Sequence, residues 1–324
     1  MLFALLAWLP ACGQVDAALE SFASAQDNVV VVGIRRYTAK LGSRFESTRE
    51  RITLAGGGRY RIDLLAMNGE PPEQMDEARR EQFDRLARRF QGSLGRRIVL
   101  ERDLRVRDLR LAGENYWVEV DASDAWFLGR KARRLTVADK FRAHGTADRP
   151  SYELTVDLET GFIVRSIEKN ADGEMVSEMA YESIDWRPDL SGIDVASFDY
   201  VGRLQPGGKA GDPDCAVFVP TWLPPGFVSV GEVISEVDAH GQKVKVLEIV
   251  YSDGIQEIAV FENRSLERTT LDRSPGRQEP YEVRVDYLGS LALSEFSIGQ
   301  TFLHIESKIA PQDLATVIES LAQR

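Results

Sequence analysis

The side chains that could perform chemistry are few and widely separated along the chain. The sequence has three histidines, His144, His240 and His304, and two cysteines, Cys12 and Cys215. Local patterns predict a loop, a turn and a strand for the three histidines, and none of them stands at metal-ligand spacing from a cysteine or carboxylate. We therefore expect no metal site and assign the histidines ordinary surface or core roles.

The short motifs that mark common catalytic and nucleotide sites are also missing from the sequence. It contains no Gly-x-Ser-x-Gly, His-Glu-x-x-His, Walker loop or dinucleotide fingerprint. Asp121 and Asp124 lie in a predicted loop, where spacing alone gives no reason for their carboxylates to converge. A strand pattern follows the run Gly56-Gly57-Gly58, so these glycines indicate a turn and not a phosphate site at a helix N-terminus. We expect a protein that is not an enzyme and has no catalytic residues and no cofactor.

Charge restricts the class of partner. The net charge of −11 argues against general nucleic-acid binding, which needs a basic surface. Arginine is densest between Arg79 and Arg110, but acidic residues are interleaved with it throughout. This pattern predicts a mixed, solvated face, and a partner-binding patch is the alternative.

The N-terminal residues 1–14 form a signal-type or lipoprotein-type segment. The apolar run Leu2–Leu9 is shorter than the roughly 20 residues that span a bilayer, and it resembles the core and end of a secretory signal. The sequence Leu9-Pro10-Ala11-Cys12-Gly13 resembles a bacterial lipobox, in which the cysteine is lipidated and becomes the mature N-terminus. Pro10 departs from the usual small residue, which leaves ordinary cleavage nearby as the alternative. We expect export, with Cys12 either lipidated or removed.

Residues 15–193 show the pattern of one large sheet. An amphipathic helix is predicted for Val15–Gln26, and Pro71-Pro72 opens a helical insertion, Glu73–Gln91. Alternating apolar runs predict strands over most of the remainder, with hairpin turns at Asp157–Gly161 and Asn170–Glu174. Long strands in series with few helices predict a curved antiparallel sheet with helices on its concave side.

A change of composition separates a second domain from the first. Residues 194–216 are rich in proline and glycine and predict a linker, and residues 217–324 predict a small α+β domain. This domain opens with the corner Trp222–Phe227, and Asp253-Gly254 marks a hairpin between two alternating runs. It closes with a predicted helix over Pro311–Ala322, with one apolar face.

Several of these segments, taken in order, resemble the RseB/MucB family of periplasmic regulators of the sigma-E envelope-stress response. The segments that carry the resemblance are Leu64–Pro72, Gly129–Val137, Tyr152–Ser166, Asp172-Gly173, Trp222–Phe227, Tyr251–Gly254 and Ile298–Leu321. The chain departs from the family at Glu73–Leu111, where a shorter region is expected, and at the lipobox-like sequence.

The resemblance implies both a fold and a function. The implied fold is a large half-barrel like the carriers LolA and LolB, with plug helices, plus a small C-terminal α+β domain. The implied function is that of a non-catalytic extracytoplasmic regulator. Such a protein binds the periplasmic segment of a membrane-bound anti-sigma factor and is released by a lipid or lipopolysaccharide signal. Its location is the periplasm, with membrane anchoring if Cys12 is lipidated.

A half-barrel plugged by helices can enclose an apolar groove suited to acyl chains. Candidate lining residues come from strands with an apolar face, although the same residues would also fill an ordinary core. They are Val30, Val32, Ile34, Tyr60, Ile62, Leu64, Trp117, Phe127, Leu154 and Val156.

The groove leaves a second function open, that of a lipid or lipoprotein carrier of the cell envelope. The C-terminal domain favours the regulator, because a minimal carrier would not need it.

Overall fold

The computed structural model describes residues 12–41, 43–91, 102–121, 123–140, 150–170, 172–200, 213–239, 242–264, 283–288 and 291–324. The chain divides into two compact units, the N-terminal unit Met1–Gly202 and the C-terminal unit Arg203–Arg324. The predicted signal-type run Leu2–Leu9, together with His144 and His240, lies outside the described residues.

The N-terminal unit is built on a ten-stranded sheet in which every pairing is antiparallel. Its described α-helices are α1 (Cys12–Asn28), α2 (Glu77–Gln91) and α3 (Leu109–Asn115). Its strands are β1 (Val30–Leu41), β2 (Arg44–Ala55), β3 (Arg59–Met67), β4 (Tyr116–Val120), β5 (Ala125–Phe127), β6 (Arg130–Asp139), β7 (Ser151–Asp157), β8 (Ile163–Lys169), β9 (Met175–Asp185) and β10 (Asp199–Tyr200). The order is β10-β3-β2-β1-β9-β8-β7-β6-β4, and β5 pairs with β6. The α+β class with an open, curved antiparallel sheet is confirmed.

Alternation along the strands gives this sheet one buried face, which we call the inner face. Residues that lie opposite one another in an antiparallel pair project to the same side of the sheet. One such row runs across five strands through Leu135, Leu154, Ser166, Met179 and Tyr37, and all five side chains are buried. The row shows that the inner face is continuous from β6 to β1.

Helix α1 adds the buried side chains Leu19 and Phe22 to the core, and it packs against α3 and β4. The β7–β8 turn approaches α1 so closely that a Cβ on Gly161 would lie 2.7 Å from the backbone oxygen of Ser21. Gly161 also has a φ of +74°, so both contact and conformation require glycine in the turn that the sequence predicts.

Two short elements of this unit were not anticipated. Helix α3 begins after Asp108, whose side chain accepts a hydrogen bond from the Leu111 amide. Strand β10 lies inside the stretch predicted as linker, residues 194–216, and extends the sheet by pairing with Tyr60 and Arg59 of β3.

The C-terminal unit has a six-stranded antiparallel sheet in the order β12-β13-β14-β17-β16-β15, and a separate pair, β11-β18. Its elements are β11 (Phe218–Pro220), β12 (Val228–Ala239), β13 (Gln242–Ser252), β14 (Glu257–Arg264), β15 (Arg284–Leu288), β16 (Leu291–Ile298), β17 (Thr301–Ser307), α4 (Pro311–Glu319) and β18 (Leu321–Gln323). Leu314 and Val317 of α4 belong to one buried apolar cluster with Leu247, Val260 and Ile305 of the sheet.

The predicted hairpin at Asp253-Gly254 joins β13 to β14. The Asp253 carboxylate accepts hydrogen bonds from the amides of Ile255 and Gln256, at 3.0 and 2.8 Å, and Gly254 has a φ of +102°. The turn is therefore stabilised by its own side chain and by the glycine conformation.

The terminal helix is shorter than the predicted Pro311–Ala322. Helix α4 ends at Glu319, and the carbonyl of Ser320 accepts hydrogen bonds from the amide and hydroxyl of Thr221. The residues that follow form β18, which pairs with β11. The prediction was wrong here because the pairing joins segments about a hundred residues apart, which helical periodicity does not reveal.

A buried carboxylate connects β11 to the main sheet. Glu262 of β14 is 0% exposed, and both its oxygens accept the Phe218 amide, at 3.0 and 3.1 Å. Burial raises the pKa of Glu262 to about 7, and the nearby carboxylate of Glu232 adds to this, although the Phe218 amide and Arg324 oppose it. Because this folded-state pKa lies above that of an unfolded glutamate, ionisation of Glu262 costs folding free energy.

We predict that this carboxylate makes stability fall as pH rises. Its contribution is fully present below the unfolded pKa of about 4.5 and is lost as the pH passes about 7. Glu262→Gln should remove this part of the pH dependence, on the order of 3 kcal/mol for a shift of this size. The free energy of unfolding in urea is measured between pH 5 and pH 8 for the parent and for Glu262→Gln. Both proteins keep Trp222 and have the other tryptophans replaced, so that unfolding is followed by the fluorescence of Trp222. Equal slopes of unfolding free energy against pH in the two proteins would contradict the raised pKa of Glu262.

Candidate functional site

The ten residues predicted to line a groove differ in burial. Tyr60, Ile62, Leu154 and Val156 are buried, whereas Val30 and Trp117 are exposed. The other four, Val32, Ile34, Leu64 and Phe127, are half-buried.

The strand register places these residues on two faces of the sheet. Ile52 lies opposite both Gly33 and Ile62, so Ile62 shares the inner face with Gly33. Val32 and Ile34, the neighbours of Gly33, project from the other face. Val30 alternates in phase with Val32 and Ile34 and therefore lies on this other face. Trp117 is exposed, and the adjacent Val118 is buried. The prediction that all ten line one groove is therefore wrong, because alternation identifies an apolar face on each strand without showing which faces coincide.

A buried charge cluster lies on the inner face where β1 and β2 meet. Arg35 donates from Nε to Glu50 Oε2 at 3.0 Å and from Nη1 to Asp103 Oδ2 at 2.6 Å. Arg102 donates from Nη2 to Glu50 Oε1 at 2.6 Å, and the Thr48 hydroxyl donates to the same oxygen at 2.6 Å. Arg35 and Glu50 are 1% and 0% exposed, so the cluster is enclosed by protein.

The cations determine the protonation state of this cluster. Burial alone would raise the pKa of Glu50, but the guanidinium groups of Arg102 and Arg35 and the Thr48 hydroxyl lower that pKa to about 2. Arg102 also stacks over the Tyr37 ring, with its Cζ 4.0 Å from the ring centroid. The cluster is thus a set of mutually neutralising charges, which indicates a structural role and not a catalytic one.

The segment that supplies Arg102 and Asp103 is held against α1. Gln26 donates from its side-chain amide to the Leu104 carbonyl at 2.8 Å and accepts from the Val106 amide at 3.1 Å. Leu104 and Val106 are buried beside it. These two hydrogen bonds between one glutamine side chain and the backbone therefore hold the segment against the helix.

This segment corrects the prediction that Arg79–Arg110 is a solvated face. Arg79, on α2, is exposed and pairs with Glu70, as a solvated face requires. Arg102 and Asp103 instead enter the core, because Glu50 and Arg35 supply opposite charges there. A signal for the cluster was present in the sequence, since Arg35 stands in phase with the buried Val31 and Tyr37 of β1.

The remaining candidates for chemistry lie apart. His304 Nε2 is 3.0 Å from Glu306 Oε1 within the C-terminal unit, and Asp121 and Asp124 are exposed in the N-terminal unit. Within the described ranges, no group of three or more histidine, cysteine or acidic side chains is arranged to hold a metal ion. No helix in the described part of the chain is long and apolar enough to cross a membrane.

Solved structures of MucB are similar to this chain over nearly its whole length. A chain in the complex structure of Pseudomonas aeruginosa MucA/MucB matches with a TM-score of 0.53 at 14% identity, covering 96% of this chain and 99% of that chain. MucB in complex with MucA(peri) matches with a TM-score of 0.52 and the same identity and coverage. MucB alone matches with 0.53 at 14% identity, covering 96% of this chain and 98% of its own.

These matches show an RseB/MucB-like fold. Neither a family model nor a curated protein matches the sequence. The similarity is therefore one of structure, at an identity that leaves function to be argued separately.

We predict that Glu50→Gln lowers the free energy of unfolding by about 3–5 kcal/mol, because it leaves two buried guanidinium groups without their shared carboxylate. The matched control is Glu182→Gln. Glu182 also lies between two arginines, Arg36 at 2.8 Å and Arg49 at 2.7 Å, but at the surface, so it should cost less than about 1 kcal/mol. Chemical denaturation at neutral pH measures both losses, and similar losses would contradict a role for burial.

A second prediction concerns the packing of the former groove candidates. Ile62 is 3% exposed, and Ile62→Ala should lower the free energy of unfolding by about 2–5 kcal/mol, because the truncation leaves a cavity in the core. Ile34→Ala, on the opposite and half-buried side of the sheet, should cost only about 1 kcal/mol. Equal, small losses in thermal or chemical unfolding would show instead that Ile62 faces an open groove.

Proposed function

We propose that this protein is a non-catalytic extracytoplasmic regulator that binds the periplasmic segment of a membrane-bound anti-sigma factor. The observation that carries the proposal is the MucB-like fold over 96% of the chain, which includes both units. MucB itself has been solved in complex with MucA(peri). The sequence resemblance to the RseB/MucB family independently implies the same kind of partner.

The chemistry of the described residues supports binding in preference to catalysis. The charged groups buried deepest in the N-terminal unit, Arg35 and Glu50, are occupied by one another and by Arg102. Open antiparallel sheets with two free edges offer backbone donors and acceptors to an extended peptide. Among the described strands of the N-terminal unit, β10 stands at one edge, and β4 and β5 stand at the other.

The proposal also places the protein outside the cytoplasm, in the periplasm, with Cys12 lipidated or removed. The mass of the mature N-terminus distinguishes these two forms, and recovery of an intact Met1 from cytosolic protein would refute export.

A lipid or lipopolysaccharide ligand is the second part of the proposal. An acyl chain on the inner face would contact Leu64, which is half-buried, before it could displace fully packed residues such as Leu154. We expect the ligand and the partner to compete. A ligand that occupies this face and stabilises one arrangement of it weakens the binding of a partner that requires a different arrangement.

Binding is tested with the periplasmic segment of an anti-sigma factor whose gene adjoins that of its sigma factor in the same genome. We expect saturable binding to the full chain with a Kd of about 1 μM or tighter, as for specific protein interfaces, by isothermal titration calorimetry. Lipopolysaccharide or phospholipid added to the preformed complex should raise the apparent Kd by tenfold or more.

The control ligand is the cytoplasmic segment of the same anti-sigma factor, which should not bind. Leu64→Asp should abolish the lipid effect and leave partner binding in place. Absence of binding to the periplasmic segment would refute the regulator, whereas partner binding that lipid does not change would refute only the lipid signal.

A further inference from the structure

An apolar surface projects from one end of the N-terminal sheet. Trp126 is 64% exposed and Leu128, in the turn between β5 and β6, is 45% exposed. Leu158, in the β7–β8 turn, is exposed to the same extent as Leu128, and its amide donates to the Lys131 carbonyl at 3.1 Å. The two turns are therefore adjacent, and we call Trp126, Leu128 and Leu158 the apolar tip.

The backbone of the tip does not require a leucine. Leu128 and Gly129 have φ values of +48° and +78°, the left-handed pair of a tight hairpin turn in which asparagine and glycine are favoured. A large apolar side chain is disfavoured in this conformation and is here also exposed to solvent. Neither local geometry nor burial in the core accounts for Leu128.

Arg130 connects the base of the apolar tip to the β7–β8 turn. Arg130 donates to both carboxylate oxygens of Asp157, at 2.7 and 3.0 Å, and to Glu159 at 2.8 Å. Its Cζ lies 4.3 Å from the centroid of the Trp186 ring. Asp157 and Glu159, the acidic residues of the β7–β8 turn, are thereby paired with a cation, and the hairpin is fixed to the sheet.

The exposed charges that follow on β6 are basic. Lys131 lies directly opposite Trp126, and Arg133 and Arg134 follow it, all three exposed. Acidic residues also lie nearby: Asp121 is close to Arg134, Asp124 precedes β5, and Glu119 and Glu153 lie opposite Thr136 further along β6. Exposed tryptophan and leucine next to lysine and arginine are typical of a surface that enters the head-group layer of an anionic bilayer.

We propose that the apolar tip is a membrane-interface contact. In this arrangement Trp126 and Leu128 enter the head-group layer, and Lys131 and Arg133 contact the phosphates of anionic lipids. The proposal rests on this surface alone and does not depend on the identity of a protein partner. It differs from an acyl-binding groove, because it involves exposed side chains at the end of the sheet and not the buried residues of the inner face.

The test is the partitioning of the full chain onto vesicles, measured by co-sedimentation. The vesicles contain roughly 30% phosphatidylglycerol in phosphatidylethanolamine, with pure phosphatidylcholine for comparison. The double variant Trp126→Ser, Leu128→Asn should partition about tenfold less than the parent, since it removes the apolar side chains that the interface buries. Asparagine is suited to the left-handed conformation, so the turn should keep its geometry. Lys131→Glu should weaken binding to the anionic vesicles only.

The matched control is Phe45→Ser. Phe45 is 51% exposed near the β1–β2 turn, at the end of the strands opposite the apolar tip, and its replacement should leave partitioning unchanged. The apolar N-terminal run is common to all variants, so the differences between them report on the tip. The proposal is overturned if the double variant partitions like the parent, or if Phe45→Ser weakens binding equally. It is also overturned if the parent ignores vesicles and instead forms a dimer that Leu128→Asn dissolves, which would assign the tip to a second copy of the chain.

Discussion

The N-terminal unit depends on a carboxylate that is buried between two guanidinium groups. Glu50 joins Arg35 of the neighbouring strand to Arg102, which comes from a segment 52 residues further along the chain. Ionised groups are not stable in a protein core unless opposite charges and hydrogen-bond donors surround them. The segment that carries Arg102 must therefore lie against the sheet at this point, and Gln26 of α1 holds its continuation at Leu104 and Val106. One electrostatic requirement thus joins the sheet, the first helix and the segment that precedes α3.

The second unit contains a buried glutamate whose surroundings shift its pKa in the opposite direction. Among the described residues, Glu262 accepts hydrogen bonds from one backbone amide, that of Phe218, and it has an acidic neighbour, Glu232, so its pKa is raised where that of Glu50 is lowered. Burial acts in the same direction on both carboxylates, and the nearby cations decide which form is stable. These two carboxylates therefore contribute to the pH dependence of stability with opposite signs: the contribution of Glu50 is lost in acid, and that of Glu262 is lost as the pH rises through about 7.

This architecture suits a protein that binds. Its deepest charges neutralise one another, its large sheet has two edges, and its most exposed apolar side chains lie at turns and on an edge strand. The proposed regulator would need recognition surfaces on a rigid scaffold, and ion pairs that bridge distant segments provide such rigidity. Trp126 of the apolar tip lies on β5, which pairs with β6 on the same side as β4, whereas β10 stands at the other edge of the sheet. Contact with a membrane at the tip and contact with a protein partner at the β10 edge would therefore use different surfaces.

The sequence by itself determined the class of the fold and most of its elements. Period-two alternation in β1, β7 and β13 and the glycines of the turns at Gly161 and Gly254 depend on local geometry, which is why the strands and hairpins could be predicted. Only the tertiary structure decided which faces coincide. It placed Val32 and Ile34 on the face of the sheet away from Ile62, and it buried Arg102 and half-buried Asp103, both from a stretch that composition assigns to solvent. It also ended α4 at Glu319, so that β18 could pair with β11. Each of these outcomes depends on partners that are distant in sequence, and neither periodicity nor composition contains that information.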